Sequence, residues 1–499
     1  MHGEIIDIIT DLEQRIDTNA LVYRDICYWP LVRARVWGGL LRQLAVARGE
    51  GDPPALTTNT GPKWPDVGRV NAALAGPPDL GLLKADAKPP KPGHLTPTTL
   101  MFARPEEYSD TVAGKAFARF IDSVLECAAD VGPVTKLELA DPRTMTFARR
   151  HPSLFIDLNL AGQGVAFDPP GELGGFADIA AIIAARVPGI TLDHASLTTD
   201  LGKIFYFARI FEKLLRQLRP RLFVLSVAYH PVGYAWMLAC RWAGVKSVDL
   251  QHGRLGPAHG TYTHLTAAPR DGYAILPDHI WCWGETTAED IAAHKNPDCL
   301  RHGGIVGGNA WLAKWRRGDT SALEPKEAQT FLERHAGRRK ILVSLQPYDV
   351  PMVGELLRAM KQSPPEWLWL LRLHPLRRHI APEIKEILAR ASVTNVEMDE
   401  STTLPLYFLL RHVDHHVTAF SSVVAEAAAF DVRSSLTTEV GRDAFARYIA
   451  DRVCRYTPTA EELNAHIAAC LAVPRAPLHD RFIDAGSDTA QRALAQLLG

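Results

Sequence analysis

The chain is poor in cysteine. It has seven in 499 residues, at positions 27, 127, 240, 282, 299, 454 and 470, with no C-x-x-C pair. An odd, scattered set excludes a disulfide framework and a zinc ribbon, and it suits a reducing compartment. Net charge is also scarce, at −1, so no overall field draws the chain to nucleic acid or to an anionic membrane. No uncharged apolar run approaches the ~20 residues of a membrane span. The first residues, 1–17, are charged throughout, unlike a signal peptide. A cytoplasmic protein is therefore expected.

Several catalytic signatures are missing as well. There is no G-x-x-x-x-G-K-[ST] loop, which argues against ATP hydrolysis. No G-x-G-x-x-G opens a helix after a strand, which disfavours a nicotinamide enzyme. There is no G-x-S-x-G elbow, no D-x-D and no spaced His/Cys cluster. Neither a metal nor a cofactor is expected.

What remains is ample core material. Hydrophobic residues make up 47% and charged residues 22%, an ordinary globular balance over a length that suits two to four domains. Residues 1–18 read as an amphipathic helix with Ile5, Ile8, Ile9, Leu12 and Ile16 on one face. A second helical stretch, 19–47, mixes aromatic and basic residues: Tyr28, Trp29, Arg33, Arg35, Trp37 and Arg42. Such a mixture suits a peripheral contact with the inner membrane or a lipid-linked acceptor. It also suits a helical pair capping a domain, the preferred reading. Residues 49–97 are dense in proline and glycine and read as a long loop.

From residue 98 onward, apolar runs alternate with helical periodicity. Runs at 98–103, 222–227, 245–250, 279–283, 303–306, 340–345, 367–373, 395–398 and 412–418 read as strands, most followed by a helix. Short connections between them mean parallel sheets. The expected fold is α/β, with two doubly wound Rossmann-like domains facing a cleft. The expected boundaries are an N-terminal helical segment 1–48, the loop 49–97, a first Rossmann-like domain 98–275, and a second, 276–499, with C-terminal helices.

Ligands of open parallel sheets bind outside the carboxyl ends of the strands, so polar residues that end buried runs are the candidates. Gln251-His252-Gly253 ends one run, where an imidazole suits a general base. Asp271-Gly272 offers a second acid/base position. In the second half, Arg372-Leu373-His374-Pro375 ends one run, with Arg377 and Arg378 close behind. Thr418-Ala419-Phe420-Ser421-Ser422 ends another and opens a small-residue helix whose free N–H groups favour an anion. Glu426 lies on the same helix face as Ser422 and could accept bonds from ribose hydroxyls. Ser344-Leu345-Gln346 leaves a neighbouring run.

These motifs resemble those of the GT-B glycosyltransferases of bacterial surface polysaccharide synthesis. The likeness is to the capsule polysaccharide Kdo transferases and the bacterial sialyl- and polysialyltransferases. The resemblance implies that His374, Pro375, Ser421 and Ser422 hold the CMP of a CMP-sugar. Val343-Ser344-Leu345-Gln346 is similar to a Leu-Gln element of the capsule enzymes. His252-Gly253 is similar to a His-Gly step of teichoic-acid CDP-glycerol phosphotransferases. Where sialyltransferases carry an acidic pair before glycine, this chain has Arg270-Asp271-Gly272. The likeness spans residues 200–450. It implies a metal-independent glycosyltransferase that moves Kdo or another CMP-activated sugar to a glycan or lipid-linked acceptor, without nucleic acid. The alternatives are a CDP-alditol phosphotransferase and a non-catalytic nucleotide-binding module. The expected nucleotide-binding residues are Arg372, His374, Pro375, Ser421, Ser422 and Glu426, and the expected catalytic residues are His252 and Asp271.

Overall fold

The computed structural model describes residues 2–47, 82–84, 97–108, 110–140, 148–162, 164–165, 171–253, 255–257, 259–316, 320–346, 354–478 and 481–499. The expected loop 49–97 falls outside the described residues except at its end and at the short strand Leu82–Lys84.

Among the described residues, fourteen strands build two large sheets. In chain order they are β1 (Leu82–Lys84), β2 (Thr99–Phe102), β3 (Val134–Leu139), β4 (Leu154–Ile156), β5 (Leu222–Ser226), β6 (Lys246–Leu250), β7 (His279–Cys282), β8 (Gly303–Val306), β9 (Arg339–Ser344), β10 (Trp367–Arg372), β11 (Val396–Glu397), β12 (His415–Thr418), β13 (Ser434–Leu436) and β14 (Cys454–Tyr456). The first sheet has the order β8-β7-β6-β5-β2-β3-β4-β1, parallel except for the antiparallel β1–β4 pair. The second has the order β11-β10-β9-β12-β13-β14 and is parallel throughout. The expected pair of doubly wound α/β domains is thus present.

The boundary between them differs from the expected 275/276. Strands β7 and β8 pair onto β6, so residues 276–311 complete the first sheet. One compact unit ends at Trp311 and takes back Gly486–Gly499, and the other runs Leu312–Ala485. The last helix, Thr489–Leu498, packs Leu494 and Leu497 in one core with Leu222, Val224 and Trp281 of the first sheet. Local periodicity identifies a strand but not its partner, and the partner decides the domain.

Alternation along the strands explains why helices cover both faces of the first sheet. Leu100, Phe102, Phe223, Leu225, Ile280 and Cys282 enter one core, where the helices His194–Leu218 and Pro231–Ala243 pack. Met101, Leu222, Val224, Val248 and Trp281 enter the other, against the helix Arg119–Ala129. Strands buried on both faces read as continuous apolar runs, which is why these were legible.

The helix His2–Arg15 and all but the last turn of the helix Trp29–Ala47 belong to this unit. Of the aromatic and basic residues between positions 28 and 42, Tyr28, Trp29 and Arg33 are buried and Arg35, Trp37 and Arg42 are partly exposed. Tyr28 and Trp29 have no exposed surface, and Arg35 pairs with Asp200 at 2.5 Å. Arg33 and Glu13 are each 1% exposed and meet at 2.6 Å. Arg33 also donates to the carbonyls of Gly260 (2.6 Å), Thr263 (2.7 Å) and His264 (3.0 Å). Glu13 accepts from Trp29 Nε1 at 2.8 Å and from the Ala267 amide at 3.3 Å. The capping reading therefore holds here, and Tyr28, Trp29 and Arg33 have no surface to offer a membrane. No helix among the described residues is long and apolar enough to cross a membrane.

Removing one partner of a buried pair costs about 3–5 kcal/mol, because the other charge is left unpaired. Arg33→Met should therefore lower amide protection in residues 259–268 by roughly 10²-fold or more in native-state hydrogen exchange. Adding Glu13→Gln should recover part of that loss. Unchanged protection in the single variant would show that the pair does not hold the loop.

Candidate functional site

Strand order locates the ligand-binding edge of each unit. In the first sheet the chain winds from β2 outward through β3 and β4, then restarts at β5 on the other side of β2 and winds through β6, β7 and β8. The switch point is therefore the β2/β5 gap, where ligands of open α/β sheets bind beyond the carboxyl ends. The last paired rows are Phe102↔Leu225 and Leu250↔Ser226. Arg104, Val227 and His252 thus leave the sheet within two residues of those rows.

The side chains at this edge form a connected set. His252 Nε2 lies 3.2 Å from the Tyr229 hydroxyl. The same imidazole bonds the Leu250 backbone, which leaves Nε2 as the acceptor of the Tyr229 proton. Burial pushes His252 down to about 4, aided by the charge of Arg104, so the ring is neutral at pH 7. Gln251 accepts from the Trp283 amide at 2.7 Å and donates to the Gly253 carbonyl at 2.9 Å, fixing the turn that carries His252.

Tyr229 is presented by a strained turn. Val227 has a φ of +62°, a region that a β-branched residue rarely enters. The turn is held by Asp249, a buried carboxylate on β6 that accepts from the Ala228 amide at 2.9 Å and from the Tyr262 hydroxyl. Burial raises Asp249 to about 6, against the pull of those hydrogen bonds. His230 then caps the helix Pro231–Ala243, with Nδ1 accepting from the Gly233 amide at 3.4 Å. A Cβ at Gly233 would lie 2.3 Å from the Ala228 carbonyl oxygen, so only glycine allows the helix to begin this close to the turn.

Opposite these groups stand Arg104 and Glu107, just past β2. Glu107 is buried, accepts from the Ser226 hydroxyl, and has the Arg104 guanidinium 3.6 Å away. Burial pushes its carboxyl up to about 7, opposed by Arg104 and Ser226. None of Arg104, Glu107, Tyr229 and His230 was expected from the sequence. Their signal was nonetheless present: Arg104-Pro105 and His230-Pro231 each follow a buried run, as His374-Pro375 does.

Asp271 does not join His252. Its backbone carbonyl accepts from Arg241, in the last turn of the helix Pro231–Ala243. That helix begins at the carboxyl edge and returns the chain to the start of β6, so Asp271 lies at the opposite, amino edge. The side chain is exposed there, and the expected catalytic role for Asp271 is withdrawn.

In the second unit the switch point is the β9/β12 gap, between the chain's two winding directions from β9 and from β12. Ser344 aligns with both Arg372 and Thr418. Ser421 and Ser422 therefore flank the switch point directly. His374 sits across β9 from them, at about 10 Å for two strand spacings. The Ser421 hydroxyl accepts from the Val423 amide at 3.3 Å, while the Ser422 hydroxyl makes no hydrogen bond among the described residues. His374 opens the 3-10 turn Pro375–Ile380, and its carbonyl accepts from the Arg377 amide at 2.8 Å. Burial lowers the pKa of His374. Arg377 Nε is buried and has no acceptor among the described residues.

Two expected ligand groups, and Ser344 beside them, are otherwise engaged. Arg372 donates to the Ser401 and Leu404 carbonyls at 2.7 and 2.6 Å, bracing the 401–404 turn instead of facing a ligand. Glu426 is buried and accepts from the Tyr407 hydroxyl at 2.6 Å, so it is not presented to a ribose. Ser344 turns inward to His416 Nε2 at 3.1 Å. Among the described residues no group of three or more His, Cys, Asp or Glu could hold a metal ion.

The chain matches no known protein family, and no curated protein matches its sequence. Solved structures with a similar chain path include a UDP-GlcNAc 2-epimerase from Methanocaldococcus jannaschii, at 10% identity over 80% of this chain and 98% of that one, with a TM-score of 0.49. The UDP-GlcNAc 2-epimerase of Neisseria meningitidis, solved with UDP-GlcNAc, shows 12% identity over 80% and 98%, with a TM-score of 0.44. Anabaena HepE, solved with UDP and glucose, shows 11% identity over 80% and 97%, with a TM-score of 0.43.

The raised pKa of Glu107 has a direct consequence for stability. Between its ordinary 4.5 and about 7, the folded chain holds this proton more tightly than the unfolded chain does. Its contribution is therefore fully present below pH 4.5 and lost as pH rises through 7. Glu107→Gln should gain on the parent protein as pH rises from 5 to 8, by on the order of 2–3 kcal/mol. Urea unfolding of both proteins across that range checks this, and a pH-independent difference would place Glu107 in a wetter setting.

Proposed function

We propose that the chain is a metal-independent glycosyltransferase of the GT-B type, with a nucleotide-activated sugar as donor and a glycan or lipid-linked acceptor. In this reading the carboxyl edge of the second unit binds the nucleotide, and His252 in the first unit serves the acceptor. The carrying observation is the second unit's edge, where Arg377 Nε is a buried cationic donor with no protein acceptor among the described residues. It stands three residues from His374, in the 3-10 turn that follows β10, and β10 neighbours β9 at the switch point that Ser421 and Ser422 flank. Two neutral donors and a cation at a parallel-sheet edge suit the phosphate of a nucleotide without a metal. A CMP-sugar, Kdo among the candidates, is the favoured donor on the sequence motifs.

The chemistry then follows from the protonation states. The bond from the anomeric carbon to the donor phosphate breaks as a bond to the acceptor oxygen forms. The acceptor hydroxyl proton passes to His252 Nε2, directly or through the Tyr229 hydroxyl 3.2 Å away. His374, Arg377 and Ser422 stabilise the negative charge on the departing nucleotide. Because burial holds His252 near 4, it is a free base throughout the neutral range, and the acid limb of turnover should fall well below the usual 6.5.

His252→Ala should leave nucleotide affinity within about twofold and lower turnover by roughly 10²-fold or more. Turnover is followed as acceptor-dependent release of free nucleotide from a panel of CMP-, UDP-, GDP- and dTDP-sugars. Isomerisation of a donor sugar without any acceptor would overturn the transferase reading, and a phosphodiester product would replace it with alditol-phosphate transfer.

His374→Ala should weaken nucleotide binding by roughly 10- to 100-fold in calorimetric titration while leaving the parent nucleoside unaffected. Ser422→Ala should cost less, since the backbone N–H groups remain. Equal loss of nucleoside binding would point to a damaged fold, and no loss would remove His374 from the site.

A further inference from the structure

The switch point of the first unit holds three buried polar atoms that the proton-transfer reading does not use. Arg104 Nε, His230 Nε2 and Glu107 Oε2 are each buried without a hydrogen-bond partner among the described residues. Buried polar groups without partners are rare in native proteins, and each calls for an explanation. Here they share one place. Arg104 is 3.6 Å from the Glu107 carboxylate, and its charge acts on His230, Tyr229 and His252 alike. Glu107 reaches β5 through Ser226, and His230 follows four residues later.

The hydrogen-bonding polarity of the set is fixed. His230 Nδ1 accepts the Gly233 amide, so the ring proton sits on Nε2, which is a donor. Arg104 Nε–H is a donor with a full positive charge. Glu107 is neutral on the acid side of about 7, where it has a proton to donate and leaves the Arg104 charge unbalanced. Two fixed donors and one conditional donor are thus buried at one sheet edge without hydrogen-bond partners among the described residues.

We propose that Arg104 and His230, with Glu107 beside them, form an oxyanion subsite that takes a carboxylate or phosphate group carried by the acceptor sugar. An oxyanion accepts from both nitrogens and balances the guanidinium, which a neutral hydroxyl cannot do. The group would sit at the β2/β5 gap, one strand from β6, so the sugar bearing it presents a hydroxyl to His252. The naming of the acceptor as the carrier rests on the reading of His252 as the acceptor's base, whereas the subsite itself does not.

The test is a binding titration on the full chain without donor, so it is independent of turnover. The His230 ring resonance, assigned by its loss in His230→Gln, is followed while methyl galacturonoside, galactose 6-phosphate or methyl galactoside is added. The anionic sugars should shift it saturably and the neutral sugar should not. The better of the two anions identifies carboxylate or phosphate as the preferred group. Arg104→Gln should weaken that binding at least tenfold, and Arg104→Lys by less, since it keeps the charge and loses the planar fork. His252→Ala should leave the anion affinity within about twofold, so a failed transferase reading and a failed subsite give different results. Equal binding of the neutral sugar, or an Arg104→Gln affinity within twofold of the parent with its fold intact by circular dichroism, would overturn the subsite.

Discussion

The buried Glu13–Arg33 pair is the constraint on which the first unit's site depends. Two desolvated charges are tolerable only when they are paired and hydrogen-bonded, and every nitrogen of the Arg33 guanidinium and both Glu13 oxygens have a partner. The bonds that satisfy Arg33 are the carbonyls of residues 260–264, so neutralising the pair also fixes that loop. The loop carries Tyr262, whose hydroxyl bonds Asp249, and Asp249 holds the Ala228 amide of the Val227 turn. That turn sets Tyr229 against His252. A left-handed valine costs about 1–3 kcal/mol and persists only where its surroundings over-determine it. Here the surroundings lead back to a pair of charges on two N-terminal helices.

Low dielectric at the same edge sorts the titratable groups. Burial is the leading cause at every one of them, lowering His230 and His252 and raising Glu107 and Asp249. The imidazoles are therefore neutral at pH 7 and available as acceptor or donor by tautomer alone. Carboxyl groups held between about 6 and 7 can exchange protons in the physiological range. The second unit uses the same effect for a structural end. His415 and His416 are buried in β12 and bond Ser435 and Ser434 on β13, tying two strands together with uncharged rings.

The longer strands were legible in the sequence because parallel strands covered on both faces read as nearly continuous apolar runs, as β5 does through Leu225 and β10 through Leu371. The place of His252, His374 and the Ser421-Ser422 step at the carboxyl edges was legible because polar residues ending such runs fall there. The identity of each site residue beyond that was not. Arg372 and Glu426 carry the right chemistry in the right place along the chain, but their side chains are engaged by the Leu404 carbonyl and the Tyr407 hydroxyl. Those partners lie 32 and 19 residues away, beyond any local pattern.

The sequence marked nine of the fourteen strands, chiefly the long apolar runs, and left β1, β3, β4, β13 and β14 unmarked, since these are short or carry polar residues such as Thr135, Lys136, Glu138, Ser434, Ser435 and Arg455. Only the tertiary structure decided which strands are neighbours. Pairing β5 to β2 across an intervening stretch of 119 residues brings Arg104 and His230 to His252. Pairing β7 to β6 keeps residues 276–311 in the first unit and sends Asp271 to the far edge. Backbone hydrogen bonds between strands are the same for any side chain. Strand order and register therefore depend on how whole faces pack, and no short stretch of sequence records that.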